Sequence, residues 1–348
     1  MTSLADELTR SGQGVEVFAD RIRRLDAVAF ARPYAVHRFG YWRPLRRIMK
    51  RRAIEAAAAA EPFAGVFADS WKSVAAIPDR IGPIAVLAHG NELPREIGSA
   101  RARRVRQAFG RVQTVVASSH FTAELARRLT QGLDTQIIVI NPPLPPQEVA
   151  QAPALEKLAT MIGARSPVIS TLSRLEPRKG VDMVLSVLPR LRERFPGIVY
   201  LVGGAGDDLP RLRRIAAERH IEDCVIFLGA LADDQEKAAF FERSEVFAMP
   251  VRRVAESVEG FGIVYAEAAW RGVPSLAGVD GGAADAVIGG ETGLLCHGDD
   301  PGEVFAALFN LLTDDTLRSR LGSAARRHAL TNLSWSSALP RYLAALGL

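Results

Sequence analysis

The chain has 348 residues, 48% apolar and 24% charged, a composition that fits two folded domains and excludes a disordered chain. Its 44 Lys+Arg and 39 Asp+Glu are unevenly spread: residues 1–150 hold 22 against 14, a net of +8, and residues 151–348 a net of −3. No uncharged apolar run reaches the roughly 18 residues of a membrane span, and MTSLADELTR lacks the basic start and apolar middle of a signal peptide. Two cysteines, Cys224 and Cys296, are too few for a disulfide framework or a cysteine-rich zinc site, so a reduced, cytoplasmic protein is expected.

The first predicted element is a helix in SLADELTRSGQG, with Thr2 or Ser3 as its N-cap and a glycine stop. A doubly wound domain usually opens on a strand that lies mid-sheet. The first domain is therefore expected to lack that strand, or the sequence to begin late. An upstream extension with an apolar strand and a glycine-rich turn, or a rearranged first domain, would account for the pattern.

Short β-branched runs then predict strands at 14–18, 65–68, 84–88, 114–117 and 137–140. Between the first two, YWRPLRRIMKRR reads as a helix with Arg43, Arg46, Arg47 and Lys50 on one face and Trp42, Leu45 and Met49 on another. RARRVRQAFGR adds a second basic cluster. A basic face beside apolar residues suits docking on anionic lipid, and equally suits a solvated helix packed by its apolar face. Nucleic acid is disfavoured as a partner, since no recognition module or aromatic stacking pattern accompanies the charge. EAAAAAE continues as an alanine-rich helix. VLAHGNE ends a strand on His89, where open parallel sheets place ligand groups. Ser118, Ser119 and Thr122 read as helix-capping residues.

The join falls in 141–166, where NPPLPPQEVAQAP is too rich in proline to pair as a strand and reads as a semi-stiff linker. Beyond it, strands are predicted at 168–172, 198–202, 225–228, 246–249, 273–277 and 293–296. Near-continuous apolar strands separated by helices indicate parallel sheets covered on both faces, hence two doubly wound α/β domains.

The most informative stretch is VEGFGIVYAEAAWRGVP, 258–274. Glu259 lies in a loop at a helix entrance and Glu267 about two turns into the helix that begins near Gly262. Glycines permit tight turning, and free amides at a helix start can bind phosphate. Carboxylates flanking such a site can each accept hydrogen bonds from sugar hydroxyls.

The acid, the Gly-Phe-Gly, the second acid and the later Gly-x-Pro together resemble the signature of retaining GT-B glycosyltransferases of family four. VEGFGIVYAEA is especially similar to the branch of phosphatidylinositol-mannoside mannosyltransferases. STLSRLEPRKG resembles the family's diphosphate-gripping stretch, LVGGAGDD its glycine-rich turn and GGAADAV its Gly-Gly loop, with Ala284-Asp285 where the family usually has Pro-Glu. VVASSHFTAEL and IIVINPPL resemble its architectural segments.

The resemblance implies two Rossmann-like domains facing across a cleft. Residues 1–150 would be the acceptor side, 151–332 would bind the nucleotide sugar, and a helix in 333–348 would return to the first domain. It implies transfer of a hexose from GDP-mannose or a UDP-hexose to a glycan or lipid-linked acceptor in envelope polysaccharide or glycolipid synthesis. Transfer would proceed with retention by front-face attack and without cofactor or metal, in the cytoplasm or at the inner face of the membrane. Arg174 and Lys179 would neutralise the leaving diphosphate, Glu259 orient the hexose, Glu267 the ribose, and His89 the sugar or acceptor. Gly204, Phe261, Gly262, Ile263, Val264, Gly281 and Gly282 would line the donor. Two other functions share the pattern: a catalytically impaired nucleotide-sugar-binding protein and a sugar-nucleotide epimerase.

Overall fold

The computed structural model describes residues 2–21, 32–40 and 42–348. In chain order the first elements are α1 (Thr2–Arg10), β1 (Glu16–Asp20), β2 (Ala35–Phe39), α2 (Arg43–Ala60), β3 (Val66–Ala68), α3 (Trp71–Val74) and β4 (Ile84–Ala88). α4 (Ala100–Phe109), β5 (Thr114–Ala117), α5 (His120–Thr130) and β6 (Gln136–Val139) follow. The second half begins with α6 (Ala152–Ile162), β7 (Val168–Leu172), a 3-10 turn (Pro177–Lys179), α7 (Val181–Arg194), β8 (Val199–Gly203) and α8 (Leu209–Glu218). It continues through β9 (Val225–Gly229), α9 (Asp234–Glu242), β10 (Val246–Met249), α10 (Ile263–Trp270), β11 (Ser275–Gly278) and α11 (Ala283–Ala286). The chain closes with β12 (Gly293–Cys296), α12 (Pro301–Thr313), α13 (Asp315–Asn332) and α14 (Trp335–Ala344).

Two compact units result: Met1–Ile140 with Trp335–Leu348, and Asn141–Ser334. The first contains a parallel sheet β3-β4-β5-β6 and a separate parallel pair, β1-β2. Ser119 caps α5 by accepting from the Thr122 N–H at 3.1 Å, whereas Thr2 and Ser3 lie inside α1 rather than ahead of it. One face of the sheet is covered by the ends of the chain: Leu4 of α1 and Trp335, Ala338 and Tyr342 of α14 bury against Ala85, Leu87 and Val116.

The second unit's sheet runs β9-β8-β7-β10-β11-β12, all parallel. Alternation along the strands separates two cores. Ile169, Tyr200, Val202 and Ala248 pack beneath α7, α8 and α12. Val168, Val199, Leu201, Phe247 and Met249 pack on the other face beneath α6, α9 and α10.

The proline-rich stretch is built into this unit and is not a free linker. Leu144 is buried and its N–H donates to Leu333 O at 2.8 Å. The Ala150 N–H donates to Glu242 at 2.9 Å. The division therefore falls at 140/141, ten residues before the expected 150/151.

Candidate active site

In this strand order the chain reverses direction across the sheet between β7 and β10, the switch point where the loops leaving two adjacent strands part and open a crevice. The loop after β7 carries Arg174, Glu176, Arg178 and Lys179, and the loop after β10 carries Arg252 and Glu259. Backbone contact joins the two loops. The Arg252 N–H donates to Arg178 O at 3.0 Å. Gly180, at φ +75°, presses so close that a Cβ would lie 2.2 Å from Pro250 O. A second clamp fixes the same junction: Arg252 forks onto Asp182 of α7 at 2.8 and 2.9 Å, and Arg211 adds a contact at 3.0 Å. Burial would raise the Asp182 pKa, but the two guanidiniums outweigh it and hold it low.

Glu259 comes to rest among cations. Its Oε2 accepts from Arg178 Nη1 at 2.9 Å and from Lys179 Nζ, and its side chain is only 12% exposed. Arg178 also donates through Nε to Glu176 Oε2 at 2.9 Å. Glu176 in turn holds Arg174, Nη1 to Oε1 at 3.0 Å, with the Arg174 side chain 74% exposed. The result is an alternating row from an exposed guanidinium to a buried carboxylate and ammonium. Burial favours neutral Glu259, yet Lys179 and Arg178 overcome it and keep the acid below its ordinary range. Burial is the stronger influence on Lys179, whose pKa is lowered despite Glu259.

Glu267, on α10, is buried and pairs elsewhere, with Lys237 Nζ of α9 at 3.0 Å. Lys237 also reaches Asp234 at 3.1 Å. Burial would lower the Lys237 pKa, and the two acids raise it above its ordinary value. Thus the two glutamates, though close in sequence, have separate ionic settings.

Gly262 starts α10 at φ +85° with no side-chain cap, and the first-turn amides of Ile263 and Val264, as at any helix start, have no intrahelical acceptor. Phe261 is buried in the apolar core with Tyr265, where its side chain anchors the loop. The Gly281–Gly282 turn lies against Glu259: the Gly282 N–H donates to Glu259 O at 2.8 Å. Asp285 accepts from Asn141 Nδ2 at 3.3 Å.

After β8, Gly204 adopts φ +114°, and a Cβ there would lie 1.7 Å from Ser173 O. This close approach lays the glycine-rich turn on the loop after β7. Between them opens a depression of about 460 Å³ lined by Arg174–Pro177 and Ala205–Asp208. Gly204→Ala should cost about 3 kcal/mol through strain and overlap, lowering Tm by roughly 6–12 °C. Calorimetry showing an unchanged Tm would mean the turn moves aside freely.

His89 belongs to the first unit. It follows β4, is exposed, and its backbone N–H donates to Glu92 Oε1 at 2.6 Å within a turn through Gly90 at φ +98°. Arg178 and Lys237 escaped the sequence reading. Their partners are 81 and 30 residues away in sequence.

Residues 159–328 match the family of glycosyl transferases group 1, and residues 1–148 match Glycosyltransferase Family 4. The chain belongs to the family-four glycosyltransferases. Within this family it is 36% identical, over 221 residues, to the GDP-mannose-dependent alpha-(1-6)-phosphatidylinositol monomannoside mannosyltransferase of Mycolicibacterium smegmatis, covering 63% of this chain and 55% of that one. It is 35% identical, over 235 residues, to the corresponding monoacylated-substrate enzyme of Corynebacterium glutamicum, covering 67% and 56%. The chain thus spans a little over half the length of these curated relatives. Sucrose-phosphate synthase from Thermosynechococcus elongatus superposes with a TM-score of 0.77 at 20% identity, covering 99% of this chain and 92% of that one. The fold of this glycosyltransferase-family chain is GT-B.

Proposed function

We propose that the protein is a retaining hexosyltransferase that moves mannose from GDP-mannose to a lipid-linked or glycan acceptor. The observation that carries the reading is the buried Glu259 paired with Arg178 and Lys179 at the switch point, beside an uncapped helix start and glycine turns. Lys179 and Arg174 meet the diphosphate, and the α10 amides add donors aimed at the same charge. This is electrostatic stabilisation of a leaving group, for which no metal is needed. Glu259 accepts from hexose hydroxyls, Glu267 from the ribose, and His89 serves the acceptor side. Gly204, Gly281 and Gly282 bring backbone close to the donor, with Ile263 and Val264 contributing their amides. The two relatives named above act with GDP-mannose by name, which favours that donor.

The test is calorimetric titration with GDP, GDP-mannose, UDP and UDP-hexoses, followed by transfer assays in EDTA. NMR assignment of the product's anomeric configuration then reports retention or inversion. Glu267→Ala should weaken GDP binding about tenfold, the scale of one hydrogen bond to a charged group. Binding of no nucleotide sugar, or loss of transfer in EDTA, would overturn the corresponding part of the proposal.

The reading extends to a membrane surface and a cytoplasmic, inner-face location. Among the described residues, no helix is long and apolar enough to cross a membrane. α2 presents Trp42, Leu45 and Ile48 to solvent at 73%, 36% and 50% exposure, beside exposed Arg47 and Arg52. Arg46 and Lys50 are committed to Asp20 instead, at 3.4 and 2.7 Å. The side chain of Arg43 lies outside the described residues. Replacing Trp42 and Ile48 together by alanine should lower partitioning onto phosphatidylserine vesicles at least about tenfold. Equal sedimentation of both proteins would place α2 away from the lipid.

A further inference from the structure

The transferase reading uses Lys179 and Glu259 and leaves Arg178 without a task. Yet Arg178 is 5% exposed, and burying a guanidinium is costly unless its partners are fixed. Its partners are Glu176 and Glu259, each at 2.9 Å, with Val258 O at 3.5 Å. Its own carbonyl is tied to the Arg252 N–H at 3.0 Å. Lys179 reaches the same Glu259 oxygen. One cation would suffice to neutralise one carboxylate.

The two cations differ in what they can do. Lysine is a point charge on a flexible stem with three donors, whereas the arginine fork is planar and pre-organised. A diphosphate arriving at the site would draw Lys179 toward itself. Glu259 would then be a buried carboxylate that must keep another cation or take up a proton. A protonated acid would no longer offer its full set of acceptors to a sugar.

We propose that Arg178 is a positioning residue that keeps Glu259 ionised and aimed when Lys179 turns to the donor's diphosphate. The inference rests on the transferase reading for the event that draws Lys179 away; the Arg178–Glu259 pairing stands without it. Among the described residues, the other groups near Glu259 supply no substitute cation. Just ahead of the 3-10 turn stands Glu176, an acid shared between Arg174 and Arg178. From α10 comes Tyr265, whose buried hydroxyl donates to Met249 O. From the turn before α11 come the Gly281 and Gly282 backbone, and Asp280 is occupied by the Arg253 N–H at 2.8 Å.

Lys179→Met imitates the departure of Lys179 without any donor. The full chain, labelled with carboxyl-¹³C glutamate, is titrated by NMR, with Glu259→Gln to assign the resonance. In Lys179→Met, Glu259 should remain a carboxylate at pH 6. In the double variant Arg178→Gln/Lys179→Met it should be mostly protonated there, a change in the protonation ratio of at least about tenfold relative to Lys179→Met. With GDP-mannose, the acid limb of kcat/KM in Arg178→Gln should move upward, and Arg178→Lys should recover part of the displacement.

Protonation of Glu259 at pH 6 in Lys179→Met alone, or an ionised Glu259 in the double variant, overturns the proposal. If the double variant does not fold, the Lys179→Met titration still decides. Should wild-type protein transfer sugar from no donor, the transferase reading fails while the carboxyl titration continues to judge Arg178.

Discussion

Lys179→Ala is expected to lower kcat by about two to three orders of magnitude, the scale of losing one fixed donor to a developing charge. On the proposed function, negative charge on the diphosphate grows as the glycosidic bond breaks, so a cation that reaches it helps the transition state more than the bound donor. Lys179 suits that role: it is buried, ends the 3-10 turn at the switch point and rests on Glu259. The structural cost should be smaller, about 1–3 kcal/mol, because Arg178 remains on the same carboxylate at 2.9 Å. GDP release measured with acceptor, beside the Tm from calorimetry, separates the two effects. A normal turnover number with a lowered Tm would make the lysine a structural residue.

Much of the second unit was legible because its strands are buried on both faces and therefore read as continuous apolar runs between helices. The predicted strands at 168–172, 246–249 and 293–296 coincide with β7, β10 and β12, and the others differ by one or two residues at their ends. β2 was missed. Its sequence, AVHRF, places His37 and Arg38 at exposed positions, and it pairs with β1 apart from the main sheet. The prolines at 142–146 were rightly barred from a strand interior. Their attachment to the second unit depends on Leu144 entering a core assembled from distant residues, which local composition does not encode.

The site was legible to a different depth. Glycine positions follow from local backbone demands, such as the left-handed start of α10 at Gly262. Ionic partners do not. Nothing near Glu259 in sequence announces Arg178, and nothing near Glu267 announces Lys237. The loops meet only because parallel strands β7 and β10 become neighbours, with Val246 opposite Ile169. His89 differs, since the Glu92 side chain that accepts from its backbone N–H lies only three residues on.

Glu259→Ala should destabilise the protein by about 3–5 kcal/mol, the range found when one member of a buried ion pair is removed. It strands two buried cations, Arg178 and Lys179, with Glu176 alone to share between Arg178 and Arg174. Glu267→Ala leaves Lys237, which is 25% exposed, still paired with Asp234 at 3.1 Å, so its cost should be lower. Glu259→Gln, which keeps the shape and one acceptor, isolates the charge. Because the folded protein holds the Glu259 pKa below its unfolded value, the ion-pair contribution is full above the ordinary carboxylate range. It fades as pH falls through the folded value, where folded and unfolded chains alike carry the proton. Urea unfolding of wild type and Glu259→Gln should therefore show a gap at pH 7 that narrows in acid. On the proposed function, turnover should fall with the charge as well, since a glutamine amide offers fewer acceptors than a carboxylate. A gap that stays constant with pH, or equal destabilisation by Glu259→Ala and Glu267→Ala, would remove Glu259 from the centre of the cluster.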